Sequence, residues 1–67
     1  MTKNLRGWTA LVYFDFHWRR VVIITRIRHD RWLVEGPSLP ARFARFFGER
    51  RTIVARASMR SLKEPEL

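Results

Sequence analysis

Arginines set inside apolar, strand-like runs are the residues of this chain with the clearest chemical meaning. The sequence has 14 Lys and Arg residues against six Asp and Glu, a formal net charge of +8 on 67 residues. In segments 21–28 and 53–60, arginines follow or alternate with Val, Ile and Ala. Because alternate side chains of a β-strand point to opposite faces, one face can join a core while the other displays guanidinium groups. The pattern predicts a folded cationic surface rather than a basic tail.

These arginines are the candidate ligand-binding residues. A guanidinium carries five donors in a planar fork that suits phosphates, base edges and carboxylates. We expect the second and last strands to bury their odd-numbered residues, which are Val21, Ile23, Ile27, Ile53 and Ala55. Five arginines would then lie together on the opposite, outer face, and two arginines of the helix would extend that face. The predicted set is Arg20, Arg26, Arg28, Arg56 and Arg60 on strands, with Arg42 and Arg45 on the helix. Solvated charges that only promote solubility are the alternative, but six acids are too few to balance them.

Aromatic residues interleaved with arginine form a second group of candidates. Tyr13, Trp18 and Trp32 lie near strand ends or on the less apolar parity, where a ring can stack on a nucleic-acid base. A core position is an equally good interpretation for these three. The other large aromatics are assigned to the core, namely Trp8, Phe14, Phe16, Phe43, Phe46 and Phe47.

Catalytic and metal chemistry find little support in the sequence. His17 and His29, with Asp15 and Asp30, could in principle form an acid–base pair for phosphodiester cleavage, but turn formation explains Asp30 by itself. We identify no glycine-rich phosphate loop, nucleophile elbow, metal-ligand spacing or cysteine. We therefore expect a non-enzymatic protein with no catalytic, cofactor-binding or metal-binding residues.

The alternation of apolar residues predicts three strands in the first half of the chain. Residues 8–16 have an apolar even face, residues 20–28 are dense in β-branched side chains, and residues 31–35 form a third strand. We expect a turn at residues 17–19 and a tight hairpin turn at His29–Asp30.

A break at Gly36–Pro40 separates these strands from the second half of the chain. Phe43, Phe46 and Phe47 then stand at helical spacing, which predicts about two helical turns over residues 41–47, ended by Gly48. Residues 51–59 are predicted as one last strand. A flexible arm is expected at residues 1–6 and a frayed tail at 61–67.

The fold class is therefore mainly β with one short helix, in a single small basic domain over residues 1–67. The order β-β-β-α-β resembles that of small SH3-like and Tudor-like barrels, in which one turn of helix often precedes the final strand. A flat sheet crossed by one helix is the structural alternative. Because 67 residues without cysteine build only a small core, self-association or stabilisation by a partner is as well supported as a monomer.

These observations favour a small nucleic-acid-binding protein, with DNA and RNA both open as ligands and a regulator or accessory factor as its role. The alternative is an adaptor or inhibitor that grips an acidic protein surface, or an oligomeric subunit of a larger assembly. No apolar run reaches the roughly 18 residues of a membrane span, and the N-terminus lacks the apolar segment of a signal peptide. We therefore expect no membrane partner and a cytoplasmic location.

Overall fold

Five antiparallel strands make up the fold in a computed structural model that describes residues 4–44 and 49–65. The strands run in the spatial order β4-β3-β2-β1-β5. In the described residues, a 3₁₀ turn at Ala41–Phe43 precedes β4 and another at Arg56–Ser58 precedes β5. The bounds are β1 Thr9–Phe14, β2 His17–Arg28, β3 Arg31–Glu35, β4 Arg51–Ala55 and β5 Arg60–Lys63. The mainly β class is thus confirmed, and none of the described segments contains a helix long and apolar enough to cross a bilayer.

The first hairpin confirms the strand but not the turn that the sequence predicts. Ala10 and Val12 are buried on the even face of β1, as expected. The turn, however, is Asp15–Phe16 rather than residues 17–19, which already belong to β2. Asp15 and Phe16 adopt φ values of 50° and 68°, the left-handed geometry that matches a two-residue loop to strand twist. Phe16 is 87% exposed at this turn, so its assignment to the core is wrong.

The second hairpin turns at His29–Asp30 as predicted, and β3 has the predicted bounds. The register of β2 against β3 shifts twice, between Ile23 and Thr25 and again between Arg26 and Arg28. Each inserted residue moves the following side chains to the other face of the strand. Val21 and Ile23 are therefore buried as expected, whereas Ile27, predicted to join them, is exposed.

Residues 41–44, the described part of the predicted helix, do not form a regular α-helix. Ala41–Phe43 makes a 3₁₀ turn, and Ala44 is extended and pairs with Arg50 in an isolated bridge. A two-turn helix through Ala44 is thus wrong, because nucleating so short a helix costs more than it returns unless a face is packed. Arg45, Phe46, Phe47 and Gly48 lie outside the described residues. Phe43 packs edge-on against Phe14, with ring centroids 5.3 Å apart.

The predicted last strand is split into two strands that lie on opposite edges of the sheet. β4 pairs with β3, and the chain then passes through the 3₁₀ turn Arg56–Ser58 so that β5 pairs with β1. Val54 faces Trp32 in the core while Ile53 is 53% exposed, which reverses the predicted parity. Met59 is buried as expected. The frayed tail is also wrong for residues 61–63, which belong to β5.

The core is one cluster of buried apolar side chains drawn from the strands and from the segments that connect and flank them. It includes Leu5, which the sequence places in a flexible arm, and Trp32, the largest of the fully buried side chains. Half-buried Trp8 and Leu62 pack against the same cluster. The buried set is Leu5, Ala10, Val12, Val21, Ile23, Trp32, Val34, Leu39, Val54 and Met59. Residues 1–3 of the predicted arm lie outside the described residues.

Candidate nucleic-acid interface

Acidic residues neutralise a minority of the arginines in the described part of the chain. Arg31 pairs with Asp30 at 3.0 Å, and Arg42 pairs with Asp15. Arg51 contacts Glu49 at 3.0 Å and Glu35 at 3.6 Å. These pairs are at least partly exposed to solvent, where each contributes little to folding. Their main effect is to cancel charge at three arginines.

A second group of arginines is held by backbone carbonyls. Such a guanidinium keeps its positive charge but is fixed in place. The acceptors are Phe14 and Ser38 for Arg19 at 3.0 and 2.6 Å, Pro37 and Leu39 for Arg50 at 3.0 and 2.9 Å, and Ala57 and Met59 for Arg60 at 2.6 and 2.9 Å. Arg60, one of the predicted contacts, therefore braces the second 3₁₀ turn.

The side chains of the remaining cations have neither a carboxylate nor a hydrogen-bond partner among residues 4–44 and 49–65. All are exposed, and they are Arg6, Arg20, Arg26, Arg28, Arg56 and Lys63. Four of the six, Arg20, Arg26, Arg28 and Arg56, belong to the predicted contact set. Their guanidinium donors are all open to a ligand.

The predicted arginines do not share one outer face. Arg20 and Arg60 both oppose Leu11, from β2 and β5 respectively. Arg26 instead opposes Trp32, on the parity of the core, because the first shift in β2 reverses its side. Arg56 belongs to a 3₁₀ turn rather than to a strand face. The prediction of a single arginine row is therefore wrong, since shifts and a turn interrupt the period of two.

Half of these six unmatched cations lie instead at one end of the sheet. Arg28 on β2 opposes Arg31 on β3, and Arg31 in turn opposes Ala55, the residue before Arg56. The backbone N–H of Arg56 donates to the carbonyl oxygen of Asp30 at 2.8 Å, which fixes the 3₁₀ turn beside the hairpin turn. We call this surface the basic end: Arg26, Arg28, Arg31 and Arg56 around the turn His29–Asp30.

A cavity of about 310 Å³ opens at the basic end. Its apolar wall combines residues from both ends of the chain with one core tryptophan, and its rim is polar. The wall consists of Leu5, Trp8, Trp32 and Leu62, and the rim of His29, Asp30 and Arg56. For Tyr13, Trp18 and Trp32 the sequence left a stacking role and a core position as equal alternatives. Trp32 is 2% exposed, so it belongs to the core and the cavity wall and does not form an open stacking surface.

The other two open aromatic candidates lie at the opposite end of β2. Tyr13 and Trp18 are each 52% exposed and pack edge to face with ring centroids 5.3 Å apart. Phe16 projects from the turn between their strands. Trp18 and Arg26 are eight residues apart on β2, up to about 26 Å at 3.3 Å per residue. We call Tyr13, Phe16 and Trp18 the aromatic tip. Trp18 lies far along β2 from Arg26, but Tyr13 lines a second cavity of about 340 Å³ together with Arg31, so the tip borders the basic end on that side.

Arg42 belongs to the aromatic tip rather than to the basic end. Its hydrogen bond to Asp15 lowers the pKa of that carboxyl and raises the pKa of the guanidinium. The guanidinium also lies 4.7 Å from the centroid of the Phe43 ring, within the range of a cation–π contact. Arg42 is therefore largely occupied within the protein, and Arg45 lies outside the described residues.

The histidines are distributed between the two ends. His17 adjoins the Asp15–Phe16 turn, whereas His29 lies in the cavity rim. The neighbouring carboxylates of Asp15 and Asp30 are each bound by an arginine. Within the described ranges, no three residues drawn from His, Cys, Asp and Glu cluster closely enough to hold a metal ion.

Sequence reasoning missed the cavity because its wall comes from segments assigned elsewhere. Leu5 was expected in an arm, Leu62 in a tail, and Trp8 in the interior. The sequence carries no strong signal for this cavity, because Leu5 and Leu62 stand in polar terminal segments and single exposed leucines are common in proteins. Comparison of the chain with family models, with curated proteins and with solved structures gives no match.

Proposed function

We propose that this chain is a small nucleic-acid-binding module that contacts phosphates through its basic end. One observation carries the proposal: the side chains of Arg26, Arg28 and Arg56 are exposed around one turn and have no partner among residues 4–44 and 49–65. The carboxylate of Asp30, in that turn, is already paired with Arg31. A concentration of positive charge that the protein leaves unmatched favours a polyanion as its ligand.

The expected binding is strongly dependent on salt. Each neutralised phosphate contributes about −0.9 to the slope of log K against log salt on duplex DNA, and about −0.7 on single strands. Three arginine contacts therefore account for a slope of roughly −2 to −3. Contacts of this kind position a protein on a nucleic acid without reading its sequence.

Binding rather than catalysis is the proposed activity. Both histidine–aspartate pairs have their carboxylates engaged by arginine, which favours structural roles for Asp15 and Asp30. A module of this kind fits a regulator or accessory factor that acts on DNA or RNA.

For the fold, we propose that the sheet curls into a barrel of the SH3-like kind. Support comes from β2, whose first half pairs with β1 and whose second half pairs with β3, with two register shifts that allow a bend. The 3₁₀ turn before β5 and the pairing of β5 with β1 fit the same order. A solution structure with a flat sheet and one open face would contradict it.

The test is an electrophoretic mobility shift with duplex DNA, single-stranded DNA and RNA over a salt titration. The double variant Arg28→Gln with Arg56→Gln removes two unmatched charges. We expect it to weaken binding and to flatten the salt slope by about 1.4 to 1.8 units. The matched control is Arg42→Gln with Arg51→Gln, which removes the same charge from paired arginines and should change the slope much less.

Two results would contradict the proposal. One is the absence of a shift with wild-type protein at about 50 mM salt, where electrostatic binding is strong. The other is an equal loss of affinity in the two double variants, which would mean that only net charge matters.

A protein partner is the second candidate, and the aromatic tip is the observation that favours it. Tyr13, Phe16 and Trp18 are exposed together, and large aromatic residues are enriched in interface hot spots. On this alternative, the protein is an adaptor or inhibitor that grips an acidic surface, or one subunit of an assembly. A mobility shift that is absent for every nucleic acid would favour it.

A further inference from the structure

We infer that the cavity at the basic end receives one unstacked base of a single-stranded nucleic acid. The inference rests on the proposed function and specifies its ligand: the arginines hold phosphates, and the cavity holds a base between them. Duplex DNA offers phosphates but keeps its bases stacked and paired, so it satisfies only the first requirement.

The size and wall of the cavity suit a single planar heterocycle. Its volume of about 310 Å³ lies at the lower end of the range for small-ligand sites, roughly 300–1,000 Å³. Half-buried Trp8 offers an indole at the wall, and Leu5 and Leu62 close the wall around it. Stacking of one base on an aromatic side chain changes affinity by about 5- to 150-fold.

The rim supplies both donors and acceptors for the edge of a base. Asp30 Oδ2 accepts from Arg31 Nη1 at 3.0 Å, and a carboxylate has further lone pairs for a base amino group. The guanidinium of Arg56 lies at the same rim and has no partner within the described ranges, so its donors can serve a base carbonyl or a phosphate. His29 completes the rim. An apolar ligand without polar edges would leave these groups unused.

Arg56 and Arg26 are the arginines of the basic end that lie on the side of the cavity. Arg56 lines the cavity itself, and Arg26 is cross-strand from Trp32 and on the same side of the sheet as this wall residue. Arg28 opposes Arg31, on the other side of the sheet from Trp32. A cation in the lining of an aromatic cavity suits single-strand binding, with a phosphate outside and a base inside.

The first experiment separates base contacts from phosphate contacts. Fluorescence anisotropy compares a labelled 12-nucleotide mixed-sequence single strand with an abasic phosphodiester backbone of equal length. We expect the single strand to bind about 5- to 150-fold more tightly. Equal affinity for the two probes would overturn the inference while leaving phosphate binding intact. If neither probe binds, the proposed function fails with it.

Leu62→Phe tests the cavity by filling it. We expect this variant to lose the preference for the single strand over the abasic backbone, measured as the ratio of the two dissociation constants. The matched control is Trp18→Phe at the aromatic tip, which should keep the preference. If the control loses the preference and Leu62→Phe keeps it, the base binds at the tip and the inference is wrong.

A measurement on the wild-type protein guards against a folding defect in Leu62→Phe. Adenosine 5′-monophosphate is titrated while NMR follows the indole N–H signals of the three tryptophans. Saturable shifts at Trp8 and Trp32, with Trp18 unchanged, would support the cavity as the site. Shifts at Trp18 alone, or none at millimolar nucleotide, would count against it.

Discussion

Phe16 occupies a backbone conformation that a residue without a side chain adopts more easily. Its φ of 68° lies in the left-handed region, at the second position of the two-residue turn between β1 and β2. A non-glycine residue in this region is disfavoured by roughly 1–2 kcal/mol, and glycine loses about 0.5–1 kcal/mol more backbone entropy on folding than alanine does. We therefore expect Phe16→Gly to be more stable than Phe16→Ala by about 0.5–1 kcal/mol.

Comparison of these two variants isolates the backbone, because both remove the same ring. The ring itself is 87% exposed, so its loss changes little buried area. Phe16→Asn should approach the glycine variant, since asparagine tolerates left-handed geometry. Thermal unfolding followed by circular dichroism is sensitive enough, since 1 kcal/mol corresponds to about 4–8 °C in a domain of this size.

The result that would refute the reasoning is an alanine variant as stable as the glycine variant. It would mean that the turn relaxes out of the left-handed region at no cost. If glycine is more stable than the natural Phe16 itself, the ring is present at the expense of stability. A contact role for the aromatic tip would then gain support.

Two further predictions concern the close packing of β2 and the pH dependence of the tip. Gly36→Ala should destabilise the protein by about 1–3 kcal/mol in urea unfolding, because its Cβ would lie 2.8 Å from the Arg20 carbonyl oxygen and 3.3 Å from Val21 Cα. An unchanged midpoint would show that β2 shifts freely. The hydrogen bond from Arg42 lowers the pKa of Asp15 below 3.8, so its stabilisation is present above that pH and is lost as the pH falls through the lowered value. Wild type should exceed Asp15→Asn in stability at neutral pH, with the difference fading in acid; a constant difference would contradict this linkage.

The sequence was sufficient to predict elements in which the apolar pattern and the turn residues agree. The run of β-branched residues before the turn residues His29–Asp30 predicts a hairpin, and the structure contains that hairpin. The same pattern could not predict the shifts at Ile24 and Ile27, because an inserted isoleucine has no distinctive composition. Because of the shift at Ile24, Arg26 lies on the side of Trp32 and not on the predicted outer face.

Residues 53–59 show a different limit of pattern reasoning. Ile53 and Val54 are both good candidates for the core, and the choice between them depends on Trp32, the cross-strand partner of Val54. Neither glycine nor proline occurs at residues 56–58, where the strand breaks into a 3₁₀ turn. The break follows from tertiary structure, since β5 must reach β1 on the opposite side of the sheet from β4.

The pairing of arginines with carboxylates explains why the sequence predicted only part of the candidate site. Composition shows that cations exceed acids, but the pairing decides which cations remain available. Glu35 and Glu49 both contact Arg51, while Asp30 engages Arg31 within the basic end itself. In the described part of the chain, the side chains of Arg28 and Arg56 have no carboxylate partner. Since Trp18 lies up to about 26 Å from Arg26 along β2, whereas Tyr13 lines a cavity with Arg31, Trp18 is the member of the aromatic tip whose variants best test protein contacts independently of nucleic-acid contacts.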